Sequence, residues 1–175
     1  MVMKQVVSTS RPDADPAARG HLAPMRAADL VAVLAIETRA YDFPWTRGNF
    51  IDSLAAGYLA ERLLDERGAL LGYCIAAGGA GEMHLLNLTV APELQGRGHA
   101  RAMLDALAAR CRAGGVAQLW LEVRASNARA RALYLRYGFA EAGCRRGYYP
   151  ARAGAHPYSR EDAIVMSLDF GGGAA

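Results

Sequence analysis

The segment from Leu88 to Leu104 constrains the fold more than any other part of this chain. Its sequence, LTVAPELQGRGHARAML, begins as an apolar, strand-forming stretch and then meets Pro92, which ends strand pairing. Two glycines, Gly96 and Gly98, lead from there directly into a strongly helical run. The segment therefore predicts a strand, a glycine turn and a helix in succession. Such a turn is either an ordinary corner or a cradle for a phosphate.

Hydrophobic spacing predicts one mixed α/β domain around this segment. Two helices come first, then a β-hairpin and a third strand, then a strand–helix unit and two closing strands. Ser126 is the expected N-cap of the last helix, which Gly138 ends. The helices are expected over residues 29–40, after Thr46, over 100–113 and after Ser126, and the strands over 58–66, 69–77, 82–90, 117–123, 139–150 and 161–170.

Composition narrows the class of protein. Apolar residues make up 53% of the 175-residue chain and charged residues 21%, which suits one soluble domain with a buried core. We expect a domain over residues 21–170, between a disordered extension at 1–20 and a flexible tail at 171–175. No apolar run approaches the roughly 18 residues of a membrane span, and the polar start is unlike a signal peptide. The expected location is cytoplasmic, with no membrane partner.

The net charge and the positions of the cysteines argue against nucleic-acid-binding and metal-binding proteins. The net charge is only +3 and the arginines are scattered, which disfavours a nucleic-acid partner. Three cysteines, Cys74, Cys111 and Cys144, lie far apart and form neither a CxxC pair nor a Cys/His cluster. The sequence therefore predicts buried, reduced thiols and no metal site.

Backbone amides explain how a glycine turn at the start of a helix binds an anion. Its N–H groups have no intrahelical acceptor, the helix dipole attracts negative charge, and glycine lets a phosphate approach the backbone. A Walker loop is excluded because the region contains no lysine. A dinucleotide fingerprint fits poorly because Arg101 stands at its third small position. The pattern that remains is Gln95-x-x-Gly98-x-Ala100.

This pattern resembles the Q/R-x-x-G-x-G/A loop of the GCN5-related N-acetyltransferases, which holds the pyrophosphate of acetyl-CoA. The blocks LEVRASN, ALY, GF, RRGYYP and REDAIVM, in that order, are similar to the bacterial ribosomal-protein-alanine N-acetyltransferases of that family. YDFPWT at 41–46 is similar to the segment between their first two helices. The likeness covers residues 24–169 and implies an α/β fold with a mixed, mostly antiparallel twisted sheet and helices on both faces.

The resemblance implies acetyl-CoA as co-substrate and no metal. It places the pantetheine arm along the strand 88–90 and the pyrophosphate at the turn 96–101. The expected substrate-binding residues are Trp45, as a wall of the substrate groove, and Tyr148 and Tyr149, as a gate over an incoming peptide. His99 and Ala100 depart from the apolar residue and the glycine expected there, and the loop 150–160 differs freely. The implied cofactor-binding residues are Leu88, Thr89, Val90, Gly96, Arg97, Gly98, His99, Ala100, Arg101 and Asn127.

Two side chains suit the chemistry of acetyl transfer. An α-amine has a pKa of about 8 and a lysine about 10.4, so one modest base suffices for an N-terminal substrate. Glu122, at the end of its predicted strand, can take a proton directly or through water, and Tyr134, twelve residues later, can protonate the leaving thiolate. In the family, Glu122 falls on the general base and Tyr134 on the general acid of a direct transfer. An amide near Val90 would polarise the acetyl carbonyl.

The candidate site residues also have purely structural interpretations. Glu122 also suits a salt-bridged acid at a strand end, and Tyr134 a packed core tyrosine. Trp45 can simply anchor its loop, and Asn127 can extend the cap made by Ser126. Tyr148 and Tyr149 also suit loop packing, and the histidines His84 and His99 are best explained as packed or solvated.

The predicted function is acetyl-CoA-dependent acetylation of a protein N-terminus. By resemblance the substrate is the N-terminal alanine of a small-subunit ribosomal protein, and the enzyme is a monomer or weak dimer. Two alternatives remain open. One is acetylation of a small amine or a lysine side chain, and the other is an acyl-CoA sensor without turnover, which need not keep both Glu122 and Tyr134.

Overall fold

The computed structural model describes residues 20–151 and 159–171, which form one seven-stranded sheet covered by helices on both faces. In this part of the chain the strands are β1 His21–Pro24, β2 Leu59–Leu64, β3 Leu70–Gly79, β4 Glu82–Val90, β5 Gln118–Arg124, β6 Ala140–Pro150 and β7 Arg160–Asp169. The α-helices are α1 Leu30–Ala40, α2 Arg47–Ala55, α3 His99–Ala113 and α4 Ala128–Tyr137.

The spatial order of the strands is β1-β2-β3-β4-β5-β7-β6, and every neighbouring pair is antiparallel except β4 with β5. The connection between these two parallel strands runs through the glycine turn and α3, since parallel strands need a crossover. The predicted α/β class and mixed, mostly antiparallel sheet are therefore confirmed.

Side chains of β3 alternate between two separate cores because successive residues of a strand face opposite sides. Tyr73 and Ile75 pack against α1 and α2, together with Leu30, Val33 and Phe50. Cys74 and Ala76 point to the other face, where residues of α3 and α4 cover the sheet. Strand β3 is therefore buried on both faces, between a layer formed by α1 and α2 and a layer formed by α3 and α4.

A bulge in β4 opens the middle of the sheet. Ala76 pairs with Leu85 and Ile75 with Asn87, which leaves Leu86 without a partner on β3. The parallel pairing of β4 with β5 ends at the same level, with Leu85 opposite Leu121. Beyond that point β5 stays paired with β7, while the last five residues of β4 separate from β5. A wedge-shaped gap results, and the candidate site lies in it.

Three details differ from the sequence prediction. The short strand β1 was not expected, because four residues that end in Pro24 carry almost no strand pattern. Asn127, not Ser126, is the N-cap of α4: its Oδ1 accepts from the amide of Ala130 at 3.1 Å. Cys144 is exposed on the edge strand β6, so the prediction of buried thiols holds only for the other two cysteines.

The boundaries of the clearest elements are confirmed. The helix after the glycine turn ends at Gly114, and α4 ends at Gly138, whose φ of +117° favours glycine. Leu119, Leu121 and Val123 share the buried face of β5, as alternation predicts. The predictions for the extension, the final residues of the tail, and Gly154 and Pro157 of the last loop lie outside the described residues.

Candidate active site

The glycine turn brings unpaired backbone donors to the gap. Gly96 and Gly98 have φ angles of +83° and +86°, a region that L side chains rarely adopt. Gly98 is the N-cap of α3 and offers no side chain, and the first intrahelical bond runs from the amide of Ala102 to its carbonyl. The amides at the start of α3 are therefore open to an anion, and the helix dipole adds positive potential there.

A cavity of about 490 Å³ begins at this turn, and we call it the turn cavity. Its walls come from the end of α1, from residues 88–90 of β4, from the turn, and from α3 and α4. Of the ten predicted cofactor-binding residues, all but Arg97 line it. The Arg97 guanidinium instead donates to the carbonyl of Glu93 at 3.3 Å.

Gln95 ties the turn to its surroundings. Its Nε2 donates to the carbonyl of Val90 at 3.2 Å, and its Oε1 accepts from Nη1 of Arg129 at 3.1 Å. Arg129, Arg101 and Arg136 all line the turn cavity and give it a positive wall suited to a polyanion. Sequence reasoning missed Arg129 and Arg136, since only the fold shows which arginines of α4 face the turn.

His99 also lines the turn cavity, but its side chain is buried. It is 4% exposed, and its Nδ1 has no hydrogen-bond partner among the described residues. Burial lowers the pKa of His99, and the nearby charge of Arg97 lowers it further. The imidazole is therefore neutral at pH 7, in agreement with the interpretation of His99 as a packed residue. His84, in contrast, lies on β4 with about half of its side chain exposed.

The open edge of β4 supplies further hydrogen-bonding groups. The amide of Ala91 donates across to Leu71 of β3. Since backbone groups alternate along a strand, those of Leu88 and Val90 point to the gap. Both of their carbonyls indeed accept from side chains there, one from Tyr41 and one from Gln95. An extended chain with amide groups can pair with this edge as an extra strand would.

A second cavity of about 330 Å³ lies deeper in the gap and reaches the segment 41–46, so we call it the loop cavity. Glu122 and Tyr134 both line it, as do Trp45 and Tyr149. The turn cavity and the loop cavity meet at a shared set of residues, which are Tyr41, Leu88, Asn127, Ala130 and Tyr134. The proposed acid therefore stands where the two cavities join.

Glu122 is held by partners from β6. Its carboxylate forms an ion pair with Arg145, and its backbone carbonyl accepts from the hydroxyl of Tyr149 at 3.1 Å. A hydrogen bond to Glu122 raises the pKa of Tyr148, whose ring lies against the Arg145 guanidinium at 4.8 Å. The strand-end acid is thus both salt-bridged and turned towards the loop cavity. Tyr148 itself is 41% exposed and is not among the residues that line the loop cavity.

The tyrosines of the gap stay protonated at neutral pH. Burial raises the pKa of Tyr134, and the neighbouring phenols of Tyr41 and Tyr149 raise it further. Burial, followed by the charge of Glu122, raises the pKa of Tyr149 to about 12. Tyr134 therefore keeps its proton at neutral pH and can donate a hydrogen bond to a group that becomes negatively charged beside it, such as a thiolate.

A buried polar network in the wall of the loop cavity was not foreseen. Glu37 of α1 is 1% exposed, and its Oε1 accepts from the amide of Trp45 at 2.7 Å. Its Oε2 accepts from the hydroxyl of Tyr73 and from Nδ2 of Asn87. Since Trp45 also packs edge-on against Phe50, with ring centroids 5.4 Å apart, the segment between α1 and α2 is fixed in place. The anchoring interpretation of Trp45 and its place in the cavity wall both hold.

Arginine and aromatic rings surround the opening of the loop cavity. The Arg124 guanidinium lies 4.5 Å from the ring centroid of Tyr149 and 5.3 Å from that of Phe43. Arg124 also pairs with Glu161, which accepts from the amide of Ser126 at 2.6 Å. The Ser126 amide is thereby bonded to β7, while the side chain of the next residue, Asn127, caps α4.

Neither a membrane-spanning helix nor a metal-binding cluster occurs among the described residues. No helix within 20–151 and 159–171 is both long and apolar enough to cross a bilayer. The same ranges contain no group of three His, Cys, Asp or Glu side chains placed to hold a metal ion.

Comparison with known proteins now decides the family. The acetyltransferase (GNAT) family matches residues 30–139, which run from the start of α1 to the end of α4 and include the turn, Glu122 and Tyr134. The chain belongs to the GNAT family. The GNAT assignment predicted from the turn and the strand–helix blocks is confirmed, and with it the enzyme class of N-acetyltransferases.

Individual relatives support this assignment over most of the chain. The [ribosomal protein bS18]-alanine N-acetyltransferase of Escherichia coli strain K12 is 44% identical over 140 residues, which cover 80% of this chain and 90% of that protein. The crystal structure of the E. coli ribosomal-protein-S18-alanine N-acetyltransferase superposes with a TM-score of 0.78 at 40% identity, covering 86% of this chain and 94% of that one.

A more distant structure shows the shared GNAT fold alone. The phosphinothricin acetyltransferase of Sinorhizobium meliloti, solved with AcCoA, has a TM-score of 0.72 at 23% identity. The alignment covers 89% of this chain and 90% of that one. The fold built around the split sheet is thus common to acetyltransferases with different named substrates.

Proposed function

We propose that this GNAT enzyme transfers the acetyl group of acetyl-CoA directly to the free N-terminal amine of a ribosomal protein whose first residue is alanine. The observation that carries the proposal is the meeting of two cavities at Tyr134, one walled by open helix amides and the other by Glu122. The 44% identity to the E. coli [ribosomal protein bS18]-alanine N-acetyltransferase supports the choice of substrate.

The turn cavity suits coenzyme A in charge, volume and shape. The amides at the start of α3 and the guanidinium groups of Arg101 and Arg129 would hold the diphosphate. The open edge of β4 at Leu88 and Val90 would pair with the amides of the pantetheine arm. Held at both ends, the acetyl thioester would lie where the two cavities join.

The side chains at that junction suit the chemistry of direct transfer. In this proposal Glu122 takes the proton that leaves the attacking amine, directly or through water. The amide of Val90 stabilises the negative charge that develops on the acetyl oxygen. The new C–N bond forms, the C–S bond breaks, and the hydroxyl of Tyr134 protonates the departing thiolate. Both phenol and carboxylate are then restored through solvent.

The cysteines do not favour a covalent route. Burial raises the pKa of Cys74 to about 12, so its thiol is a poor nucleophile at pH 7. Cys111 is also buried, and Cys144 lies on the outer strand, where its thiol contacts Asp162. None of the three lines either cavity. Direct attack by the amine is the route that these positions support.

The loop cavity suits the first residues of a peptide. Trp45 and Tyr149 stand in its walls, and the exposed Tyr148 packs against the ring of Tyr149, so the aromatic segments 41–46 and 145–149 would flank an incoming N-terminus. One chain supplies both cavities, so a monomer suffices for the reaction. We place the reaction in the cytoplasm, where ribosomal proteins are made.

A panel assay tests this function. The purified protein with acetyl-CoA is offered peptides that differ in the first residue, the same peptides with blocked N-termini and an internal lysine, and free small amines. Acetylation of free N-termini, fastest with alanine first, is the expected result. Acetylation of the blocked lysine peptides or the small amines alone would overturn the substrate, and coenzyme A binding without any turnover would overturn the enzymatic role.

A further inference from the structure

The buried carboxylate of Glu37 fixes the direction of a chain of hydrogen bonds. The carboxyl oxygens of Glu37 are the acceptors in each hydrogen bond that they make with the described residues. Trp45 and Tyr73 donate an N–H and an O–H, and Asn87 donates through Nδ2 at 3.4 Å. The amide nitrogen of Asn87 therefore faces Glu37, and its oxygen must face the other way.

The next two links follow from that orientation. The oxygen Oδ1 of Asn87 can only accept, and it lies 2.7 Å from Oγ1 of Thr89, so the single hydroxyl proton of Thr89 is used there. Tyr41 has its hydroxyl 2.8 Å from that same Oγ1. Since Thr89 has no second proton, Tyr41 must be the donor in this pair. The other acceptor near the Tyr41 hydroxyl, the carbonyl of Leu88 at 3.4 Å, also lies on β4.

Every proton in this chain thus points from Tyr41 inward to Glu37. The hydroxyl of Tyr41 is left with its oxygen lone pairs for whatever lies in front of it. Tyr41 lines both the turn cavity and the loop cavity, and its phenol is close enough to Tyr134 to raise the pKa of that group. An oriented acceptor therefore faces the junction where the proposed acetyl transfer takes place.

We propose that Tyr41 is a substrate-binding residue whose hydroxyl oxygen accepts a hydrogen bond from the N-terminal amine, with Thr89, Asn87 and Glu37 fixing its proton in the opposite direction. This role rests on the proposed function, because it assigns a partner to the amine that the reaction consumes. A primary amine has two N–H groups and one lone pair. An acceptor such as Tyr41 binds an N–H and leaves the lone pair free for the thioester.

The direction of these hydrogen bonds affects the reactivity of the substrate amine. A hydroxyl that is free to rotate can donate its proton to the amine lone pair, and that interaction would compete with attack on the carbonyl. Because Glu37 terminates the chain as a pure acceptor, Tyr41 has its proton engaged on β4 and cannot turn it towards the amine. Glu37 is then a positioning residue, 1% exposed, that acts on the substrate through three other side chains.

A comparison of two peptides tests the role of Tyr41. One begins with alanine, and the other is identical but lacks the α-amino group. Binding of each to the full-length protein in the presence of coenzyme A is measured by calorimetry, for the natural chain and for Tyr41→Phe. We expect the variant to bind the amine peptide about tenfold more weakly and the desamino peptide equally well, as loss of one hydrogen bond predicts.

Matched variants complete the test. Tyr58→Phe removes a hydroxyl from an exposed tyrosine outside both cavities and is expected to change neither affinity. Thr89→Val leaves Tyr41 only the more distant Leu88 carbonyl, so a smaller loss of about threefold is expected. Combining it with Tyr41→Phe should add nothing further, since both act through the same hydroxyl.

The outcomes separate the two proposals. Equal weakening of both peptides by Tyr41→Phe would show that the hydroxyl only maintains the structure, and unchanged binding of both would show that it does not meet the amine. Either result overturns the role of Tyr41 while free N-termini are still acetylated by the natural chain. If the natural chain acetylates no free N-terminus, the proposed function fails, and the role of Tyr41 fails with it.

Discussion

The turn cavity and the loop cavity differ in how far apart in sequence their functional groups lie. At the turn cavity, one stretch from residue 88 to residue 101 supplies an open strand edge, two glycines and the first amides of a helix. At the loop cavity, Glu122 of β5 meets Arg145 and Tyr149 of β6, and Glu37 of α1 meets Tyr73 and Asn87 of the sheet. A local motif thus prepares one side of the site, whereas long-range packing assembles the other.

This difference has a physical basis. Anion binding at a helix start uses backbone groups, and a few glycines in the right order are enough to expose them. The position of a catalytic carboxylate or phenol depends instead on the register of whole strands, since a shift by one residue would move each side chain to the opposite face. Changes at the loop cavity are therefore expected to affect the rate most, and changes at the turn to affect acetyl-CoA affinity.

The largest effect is expected at Glu122. Glu122→Gln keeps the shape of the side chain but removes its basicity, so kcat at pH 7 is expected to fall about 100- to 1000-fold. The dissociation constant of acetyl-CoA, measured by calorimetry, should change little because Glu122 does not line the turn cavity. Glu82→Gln, at the exposed start of β4, is the matched control and should keep full activity. Full activity of Glu122→Gln itself would remove Glu122 from the role of base.

A smaller loss is expected for Tyr134→Phe. The hydroxyl makes no hydrogen bond to another described residue, and the ring packs edge-on against Phe139 with centroids 5.5 Å apart. The variant should keep its melting temperature, because the packing is retained, while kcat falls about 100-fold for lack of a proton donor. Circular dichroism and a steady-state assay measure the two quantities. A normal kcat would contradict the assignment of Tyr134 as general acid.

At the turn, the expected effect is on affinity. Gly98 and Gly57 both have positive φ angles, of +86° and +72°. Replacement of either glycine by alanine should therefore destabilise the fold by about 1–2 kcal/mol. Only Gly98→Ala adds a Cβ beside the open amides, and acetyl-CoA is expected to bind about tenfold more weakly. Thermal melts and calorimetry on both variants separate the two effects. Equal acetyl-CoA affinities would remove the turn from the binding site.

The smallest expected effect concerns the pH dependence of the rate, which should not decline at high pH. Burial raises the pKa of Tyr134, and it raises the pKa of Tyr149 to about 12. A raised phenol pKa means that the protonated form persists to higher pH, so the acid is not lost near pH 10 as for an exposed tyrosine. The rate should rise as the α-amine deprotonates near pH 8 and stay level to about pH 10.5. A fall with a midpoint at or below about pH 10 would show that the acid has an ordinary or lowered pKa.

Local sequence predicted the elements that depend on local chemistry. The strand, turn and helix over 88–113 follow from proline, glycine and helical spacing, and the two cavity-lining side chains Glu122 and Tyr134 follow from the family blocks. The N-cap of α4 was placed one residue early because Ser126 and Asn127 are both good caps. In the folded protein the hydrogen bond from the Ala130 amide to Oδ1 of Asn127 decides between them.

The buried network carried a usable signal in the sequence. Glu37 follows Leu30 by seven residues and Val33 by four, which places a charged side chain on the apolar face of α1. A carboxylate at such a position must find donors inside the protein, because burying it alone is costly. What no local pattern indicates is the identity of those donors. Tyr73 and Asn87 belong to strands whose pairing register is set elsewhere in the sheet.

The brief contact between β4 and β5 has a mechanical consequence. Four facing residue pairs form the seam between a meander of four strands and a separate group of three. A molecule that spans the wedge-shaped gap stabilises the contact between β4 and β5, because it supplies the hydrogen bonds that the diverging strands do not make with each other. Saturating the enzyme with its thioester should therefore slow amide exchange most along this seam, and least at the outer strands β1 and β6, which lie farthest from the gap.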